Sequence, residues 1–252
     1  MGIIIPIIIF FLGTIYGSFL NVIIFRLPNN LSIISPRSFC FKCKETIPFY
    51  RNIPIFSFLI QKGRCAKCNT EISFQYIAVE LLIGVISLLS YYFIYPKNQF
   101  EPLFFSLISG LLISIAIIDY KYFIIPLSLL FSSIVISIPF IFFISSKGIY
   151  SHLYGGLFGL GYLSIVFILT WVMTKKQPLG FGDLQLIILL GLWLGPFKVL
   201  LTIFFGSTLG IFYFIIISLI KGYSRNIKLP YGTFLCSAGI IIYLIPVNWD
   251  LI

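Results

Sequence analysis

The amino-acid sequence predicts an all-α polytopic membrane protein of about eight transmembrane helices, with one small cysteine-rich loop domain on the cytoplasmic side. Three observations predict it. Hydrophobic residues make up 60% of the 252-residue chain and charged residues 10%, with a mean hydropathy of +1.09, against roughly half and a quarter in soluble domains. Runs free of Asp, Glu, Lys and Arg recur along nearly the whole length. The one long interruption, residues 26–73, holds eight of the 17 basic residues and four of the five cysteines. The surplus apolar surface must face lipid, so the net charge of +10 points to the surface of a lipid bilayer rather than to nucleic acid.

The elements follow in order. Residues 1–25 carry no charged side chain; they lack the positive start and small-residue cleavage site of a secretory leader and read as a retained first span. After Met1-Gly2, Pro6 stands where a myristoylation motif needs Ser or Thr. A second span begins near Phe74, includes Glu80 and runs to 96, and further uncharged runs cover 102–118, 122–146, 148–174, 184–197, 199–220 and 229–249. Crossing a bilayer takes about 20 apolar residues, so 184–197, ending at Gly195-Pro196, is the short one. Charge placement arbitrates, because cytoplasmic loops collect Lys and Arg. Eight crossings with both termini outside put 14 of the 17 cations inside and leave Lys97, Lys147 and Lys198 outside; if 184–197 does not cross, the division falls to 12 against five. The chain thus divides into a first transmembrane helix at 1–25, a loop domain at 26–73 and a multi-span membrane domain at 74–252. No internal repeat is visible. Gly13 with Gly17, and Gly206 with Gly210, have the small-xxx-small spacing that lets helices approach closely. Gly155, Gly156, Gly159 and Gly161 lie inside a span with no strand before them, which favours packing over a dinucleotide loop.

In the loop, Cys40 and Cys43 form one C-x-x-C and Cys65 and Cys68 another, 21 residues apart. Two thiolate pairs on tight turns can aim four sulfurs at one tetrahedral centre, with no position left for water, which is the donor set of a structural zinc site. Neighbouring lysines suit the net negative charge of such a centre. Two disulfides or a redox pair are the competing readings, but disulfides seldom persist in the cytoplasm. The loop is therefore expected to be a zinc-binding domain. Cys236, in the last span, reads as a small buried hydrophobe.

Seven acids complete the inventory. Glu45, Glu71, Glu101 and Asp250 lie in loops or the tail, whereas Glu80, Asp119 and Asp183 stand in or at the edge of apolar spans, where an ionisable group is a functional candidate by default. Asp119 ends an uncharged run of 17 residues; Asp183 follows Gly180-Phe181-Gly182 and opens the short apolar segment. Both belong to the same predicted face. Two carboxyls brought together can share a proton, one acting as base on water while the other protonates a peptide carbonyl. A single histidine, His152, excludes any mechanism that needs two. Plainer readings stay open: Asp183 as a helix cap, Asp119 as a snorkelling residue paired with Lys121. Gly180 and Gly182 tip the balance, because they suit a loop that must admit a substrate backbone.

Taken together these residues resemble the type IV prepilin peptidases, membrane aspartic proteases of the Gly-x-Gly-Asp class. The resemblance rests on Gly17-Ser18-Phe19-Leu20-Asn21-Val22 with Arg26-Leu27-Pro28, the paired C-x-x-C loop, Tyr76 through Glu80-Leu81-Leu82, Asp119 with Ile125-Pro126, Gly180-Phe181-Gly182-Asp183, and Leu229-Pro230-Tyr231-Gly232-Thr233. The chain departs from the family at Gln177-Pro178, where a Glu-Gly pair is usual, and at Thr233, where the family commonly ends Pro-Phe-Gly-Pro. The resemblance implies an aspartic endopeptidase of the bacterial inner membrane that removes the basic leader of prepilins or pseudopilins after a glycine. It also implies N-methylation of the new N-terminus from S-adenosylmethionine, at a site no residue pattern here locates. Asp119 closes its span, where the helix dipole disfavours negative charge, and Asp183 opens the next, where it is favoured. Asp119 is accordingly expected to carry the proton and Asp183 to act as base. Two other classes compete: a cation transporter or channel using Asp119 and Asp183 as ion ligands, and a module whose zinc loop docks pilus or secretion assembly machinery.

Overall fold

In a membrane the backbone has to satisfy its own polar groups, so an apolar run becomes a helix. The structure, a computed structural model, describes residues 4–96, 98–145, 148–175, 177, 179–222 and 228–245; Met1, Gly2, Lys97, Lys147, Lys176, Pro178, Arg225 and Asp250 lie outside them. Among the described residues six helices are long and apolar enough to cross a bilayer: α1 (Ile4–Arg26), α3 (Gln75–Phe93), α4 (Glu101–Tyr122), α5 with its continuation (Leu127–Ile144), α6 (Ile149–Thr174) and α8 (Pro196–Lys221). Between α1 and α3 lie a 3-10 turn, Phe49–Arg51, and a short α2 (Phe56–Ile60). Two further apolar helices, α7 (Phe181–Leu194) and α9 (Tyr231–Leu244), have 14 residues each, about 21 Å of rise against a hydrocarbon core of about 30 Å. Among the described residues there is no strand, only two isolated antiparallel bridges.

The chain packs as two units, residues 1–110 and 111–252. In the first, α1 and α3 approach so closely that a Cβ on Gly17 would lie 2.8 Å from Glu80 Cα and one on Gly13 2.9 Å from Gly84 Cα. The small-xxx-small reading of α1 holds, because only hydrogen fits at those two positions. Asn21 Nδ2 donates to Tyr76 O at 2.9 Å, and Tyr16 donates its phenol proton to Leu107 O at 2.9 Å. These bonds tie α1 to its neighbours where lipid offers no partner.

In the second unit α6 lies against α7 with Gly155 over the backbone of Gly191 and Gly195. Gly156 and Gly159 continue that contact, whereas Gly161 faces open space. Buried His152 fastens the same pair: its Nδ1 donates to Leu192 O at 2.8 Å, so Nε2 accepts from Ser145 Oγ at 2.7 Å. The uncharged run 122–146 is not one regular helix. Pro139 ends the α-helical part of α5 and a π-helical turn, Phe140–Ile144, continues it, as the missing proline N–H requires. Helices α7 and α9 pack along their length, with Trp193 stacked on Tyr243 at 4.6 Å between ring centroids.

Candidate active site and metal centre

The loop builds its four-thiol cluster from two copies of one turn. Cys40 N–H donates to Glu45 O and Lys44 N–H to Cys40 O, both at 2.9 Å; Cys65 N–H donates to Thr70 O at 2.8 Å and Asn69 N–H to Cys65 O at 2.9 Å. Lys44 (φ +57) and Asn69 (φ +53) reverse the chain just after each second cysteine. A bridge closes each turn, Phe39 to Thr46 and Arg64 to Glu71. The repeat extends to the sequence, since Cys40, Lys42, Cys43 and Ile47 match Cys65, Lys67, Cys68 and Ile72 at the same spacing.

The four Sγ atoms lie within 4.8 Å of one another, Cys40 to Cys68 at 3.7 Å and Cys43 to Cys65 at 4.0 Å. A tetrahedral zinc with Zn–S of about 2.3 Å requires sulfurs about 3.8 Å apart, whereas a disulfide needs about 2.05 Å. The donor set therefore fits zinc. Thr70 prepares one ligand, its hydroxyl and then its N–H holding the Cys68 thiol down to about 6. Lys67 bonds Glu45 across the two turns, and that carboxylate raises the Lys67 pKa.

The loop is also held to the membrane helices. Glu80, buried on α3, accepts the N–H of Ile55 at 2.8 Å and a bond from Ser18. Ile55 sits at φ +64, a conformation costly for a β-branched residue. Arg26 is likewise buried, its guanidinium donating to the carbonyls of Ser32 and Pro36 at 2.7 Å and of Ile33 and Arg37 at 3.3 Å.

A second site forms in the other unit. Asp119, in the last turn of α4, and Asp183, in the first turn of α7, are both buried, 6% and 8% exposed. They lie near enough that the charge of Asp119 acts on Asp183. Gly180 is the N-cap of α7 and Gly182 lies in its first turn; Gly180 N–H donates to Asp183 Oδ2 at 3.2 Å and Asp183 N–H to Gly180 O at 3.1 Å. Asp183 thus closes its own helix start while lying within electrostatic reach of Asp119, so its place as a cap does not keep it from the other acid.

Asp119 accepts two hydrogen bonds from Thr233, in the first turn of α9. Thr233 N–H reaches Asp119 Oδ2 at 2.8 Å and Thr233 Oγ1 lies 3.1 Å from the same oxygen. That N–H is one of the donors a helix start leaves unpaired, so both carboxyls sit at positive helix ends. The dipole of α4 alone is an incomplete account of Asp119. Ile125, in the turn after α4, packs between the two helix starts: a Cβ on Gly182 would lie 3.0 Å from Ile125 Cβ, and one on Gly232 2.9 Å from Ile125 Cδ1. Tyr231 bonds Ser207 Oγ at 3.0 Å and lies within electrostatic reach of Asp183. Ile125, Tyr231 and Thr233 were visible only as motif residues; their adjacency to the acids needed the fold.

A helical chain that buries two carboxyls within electrostatic reach of each other, and separately clusters four thiols, has the parts that an acid–base site and a structural metal would need. The chain belongs to the type IV leader peptidase family. The Bacterial Peptidase A24 N-terminal domain matches residues 11–94 and the Type IV leader peptidase family matches residues 106–215. The Prepilin leader peptidase/N-methyltransferase of Legionella pneumophila is 31% identical over 264 aligned positions, which cover 89% of this chain and 86% of that protein. The protein of the same name from Neisseria gonorrhoeae is 29% identical, covering 94% and 92%, and that from Pseudomonas putida 28%, covering 92% and 88%. No solved structure matches. The transporter or channel expected as an alternative gains no support from these relatives.

Proposed function

We propose that this protein is a prepilin leader peptidase of the inner membrane that cuts the basic leader from prepilins or pseudopilins at the cytoplasmic face, after a glycine. The carrying observation is that Asp119 and Asp183 are both buried within electrostatic reach of each other at two helix starts, with Thr233 donating to Asp119 from its N–H and its hydroxyl. Two carboxyls so placed share one proton. Asp183 takes a proton from water as the hydroxide oxygen bonds to the scissile carbonyl carbon, and Asp119 gives its proton to the carbonyl oxygen. The tetrahedral intermediate then collapses; the C–N bond breaks, the leaving amine takes the proton from Asp183, and Asp119 recovers one from the hydroxyl that becomes the new carbonyl oxygen. Gly180 adds no side chain beside Asp183 Oδ2, consistent with an extended substrate backbone there, whereas the space at Gly182 is taken by Ile125.

The same reading includes N-methylation of the new N-terminus by S-adenosylmethionine, as the names of the relatives suggest. In the first unit a cavity of about 550 Å³ lies between α1 and the loop, lined among others by Ser18, Arg26, Arg37, Phe49 and Asn52. No carboxylate lines it, so the ribose diol and sulfonium of that donor lack an anionic partner there. The cavity is a poor fit, and no step is routed through it. Cys40, Cys43, Cys65 and Cys68 would hold zinc as a structural ion that fixes the two turns. We further take 1–25, 26–73 and 74–252 as first span, zinc loop and peptidase domain, all eight apolar helices as crossings, and the loop as a docking point for pilus or secretion machinery.

The test is to incubate the purified protein with a model prepilin and S-adenosylmethionine and to weigh the product. A mass lower by the leader, and higher by one methyl group, supports both activities; an unchanged prepilin refutes the peptidase.

A further inference from the structure

The cysteine loop does not keep to the aqueous side of the membrane. Between Arg51 and Lys62 it carries ten residues without a charge, in a segment otherwise rich in cations. In that stretch Phe56 stacks on Phe11 of α1, with ring centroids 5.9 Å apart and planes 15° from parallel. Phe11 precedes Arg26 by 15 residues, about 22 Å of helical rise. The 23 residues of α1 rise about 34 Å, against a hydrocarbon core of about 30 Å. Only about one turn of α1 can stand clear of the core, so Phe11 is immersed and the ring of Phe56 with it. Phe49, Ile53 and Pro54 sit against the same helix, lining a cavity with Ile15, Phe19 and Val22.

The backbone of the stretch pairs without water, as immersion demands. Ser57 N–H donates to Ile53 O, Leu59 N–H to Ile55 O and Gln61 N–H to Ser57 O, each at 3.0 Å. Ile55 precedes α2, and its N–H goes to the buried carboxyl of Glu80 at 2.8 Å. A carboxyl buried to accept one loop N–H is superfluous where water can accept it and necessary where water is absent. The side chains agree. No residue of α2 is buried, and Phe49 and Ile60 are 86% and 80% exposed, an apolar surface that is unfavourable in water and ordinary among acyl chains. Arg51 and Lys62, exposed at the two ends of the stretch, are long enough to reach headgroup phosphates.

We propose that residues 49–60 form a re-entrant lipid-binding segment seated in the cytoplasmic leaflet beside α1, with Phe49, Leu59 and Ile60 against acyl chains. The partner is the bilayer itself, because a water-soluble protein would have to enter the hydrocarbon to reach these side chains. The two cysteine turns, 38–47 and 63–72, directly precede and follow the segment, so it holds the metal centre at the membrane surface. The inference needs α1 to span the membrane and is independent of the two-aspartate site.

The test adds a tryptophan to the segment of the full chain. Ile60→Trp, Phe49→Trp and, in the first cysteine turn, Lys42→Trp are each reconstituted in vesicles of phosphatidylcholine and phosphatidylglycerol, with and without bromine along the acyl chains. The emission above that of the parent is read. Bromine is expected to cut the added emission of Ile60→Trp and Phe49→Trp about twofold or more and to leave that of Lys42→Trp nearly unchanged. Zinc content at the parental level shows that the loop is intact; Phe49→Trp, one aromatic ring for another, supplies the reading if Ile60→Trp loses zinc. Quenching at 49 and 60 no greater than at 42 overturns the inference. So does quenching that a saturating model prepilin relieves, since the surface then belongs to the substrate. Cleavage of that prepilin by the parent in the same vesicles reports on the two-aspartate site separately.

Discussion

Thr233 donates its backbone N–H to Asp119 Oδ2 at 2.8 Å across 114 positions of sequence, so the start of α9 is completed by a carboxyl from the end of α4. The bond serves fold and site at once: it satisfies a helix donor that lipid cannot and fixes one oxygen of the acid. Thr233→Pro removes that N–H and leaves Asp119 Oδ2 without either of its partners. Because the family commonly carries proline at this position, we expect cleavage to persist and stability to fall by about 1–3 kcal/mol, the cost of a buried carboxyl oxygen left without its donors, with α9 still formed because proline is tolerated in a first helical turn. Activity and circular dichroism on the same preparation check this.

Four sulfurs with tetrahedral spacing predict about one zinc ion per chain. Cys40→Ser should lower bound zinc measured by atomic emission and expose 38–47 and 63–72 to protease, while intrinsic proteolysis of a model prepilin persists. Methylation should fall more than cleavage. A folded Cys40→Ser protein that had lost cleavage would count against a structural metal.

The contact of Gly155 with Gly191 has no room for a methyl group on either side. Backbone lies opposite backbone, so nothing flexible can yield. Gly155→Ala is expected to cost about 1–3 kcal/mol through overpacking, read as a lower melting temperature in detergent. Gly161→Ala, facing open space, should melt like the parent.

Glu80 holds Ile55 N–H, and Glu80→Ala strands that donor at a cost of about 1–3 kcal/mol. The effect should be local. Hydrogen exchange in residues 53–63 is expected to quicken while zinc content stays at the parental level; unchanged exchange there would show that Ile55 is held by other means.

The apolar runs, the two C-x-x-C pairs and the isolated acids were legible in sequence because each depends on local composition or short spacing. Asp119 and Asp183 stood out for the same reason: a carboxyl in an uncharged run is conspicuous wherever the chain later carries it. What stayed hidden depends on distant segments meeting. Thr233 reads as an ordinary helix-start residue until α9 is set beside α4, and Ile125 as an ordinary apolar residue until Gly182 and Gly232 close on it. The glycines of α6 announced close packing, but only the fold distinguishes Gly155, which meets Gly191, from Gly161, which meets nothing. The twin turns around the cysteines share Cys, Lys, Cys and Ile at one spacing, too short a match to reveal their common hydrogen-bond pattern before the backbone is seen.

The central claim is that Asp119 and Asp183 are both indispensable to peptide cleavage. Asp119→Asn and Asp183→Asn keep size and shape, and should insert into membranes at parental yield. Incubated with a model prepilin and analysed by mass spectrometry, each should leave the substrate intact, a loss of at least about 10³-fold. Leader-free product from either variant at a rate near the parent's would contradict the account.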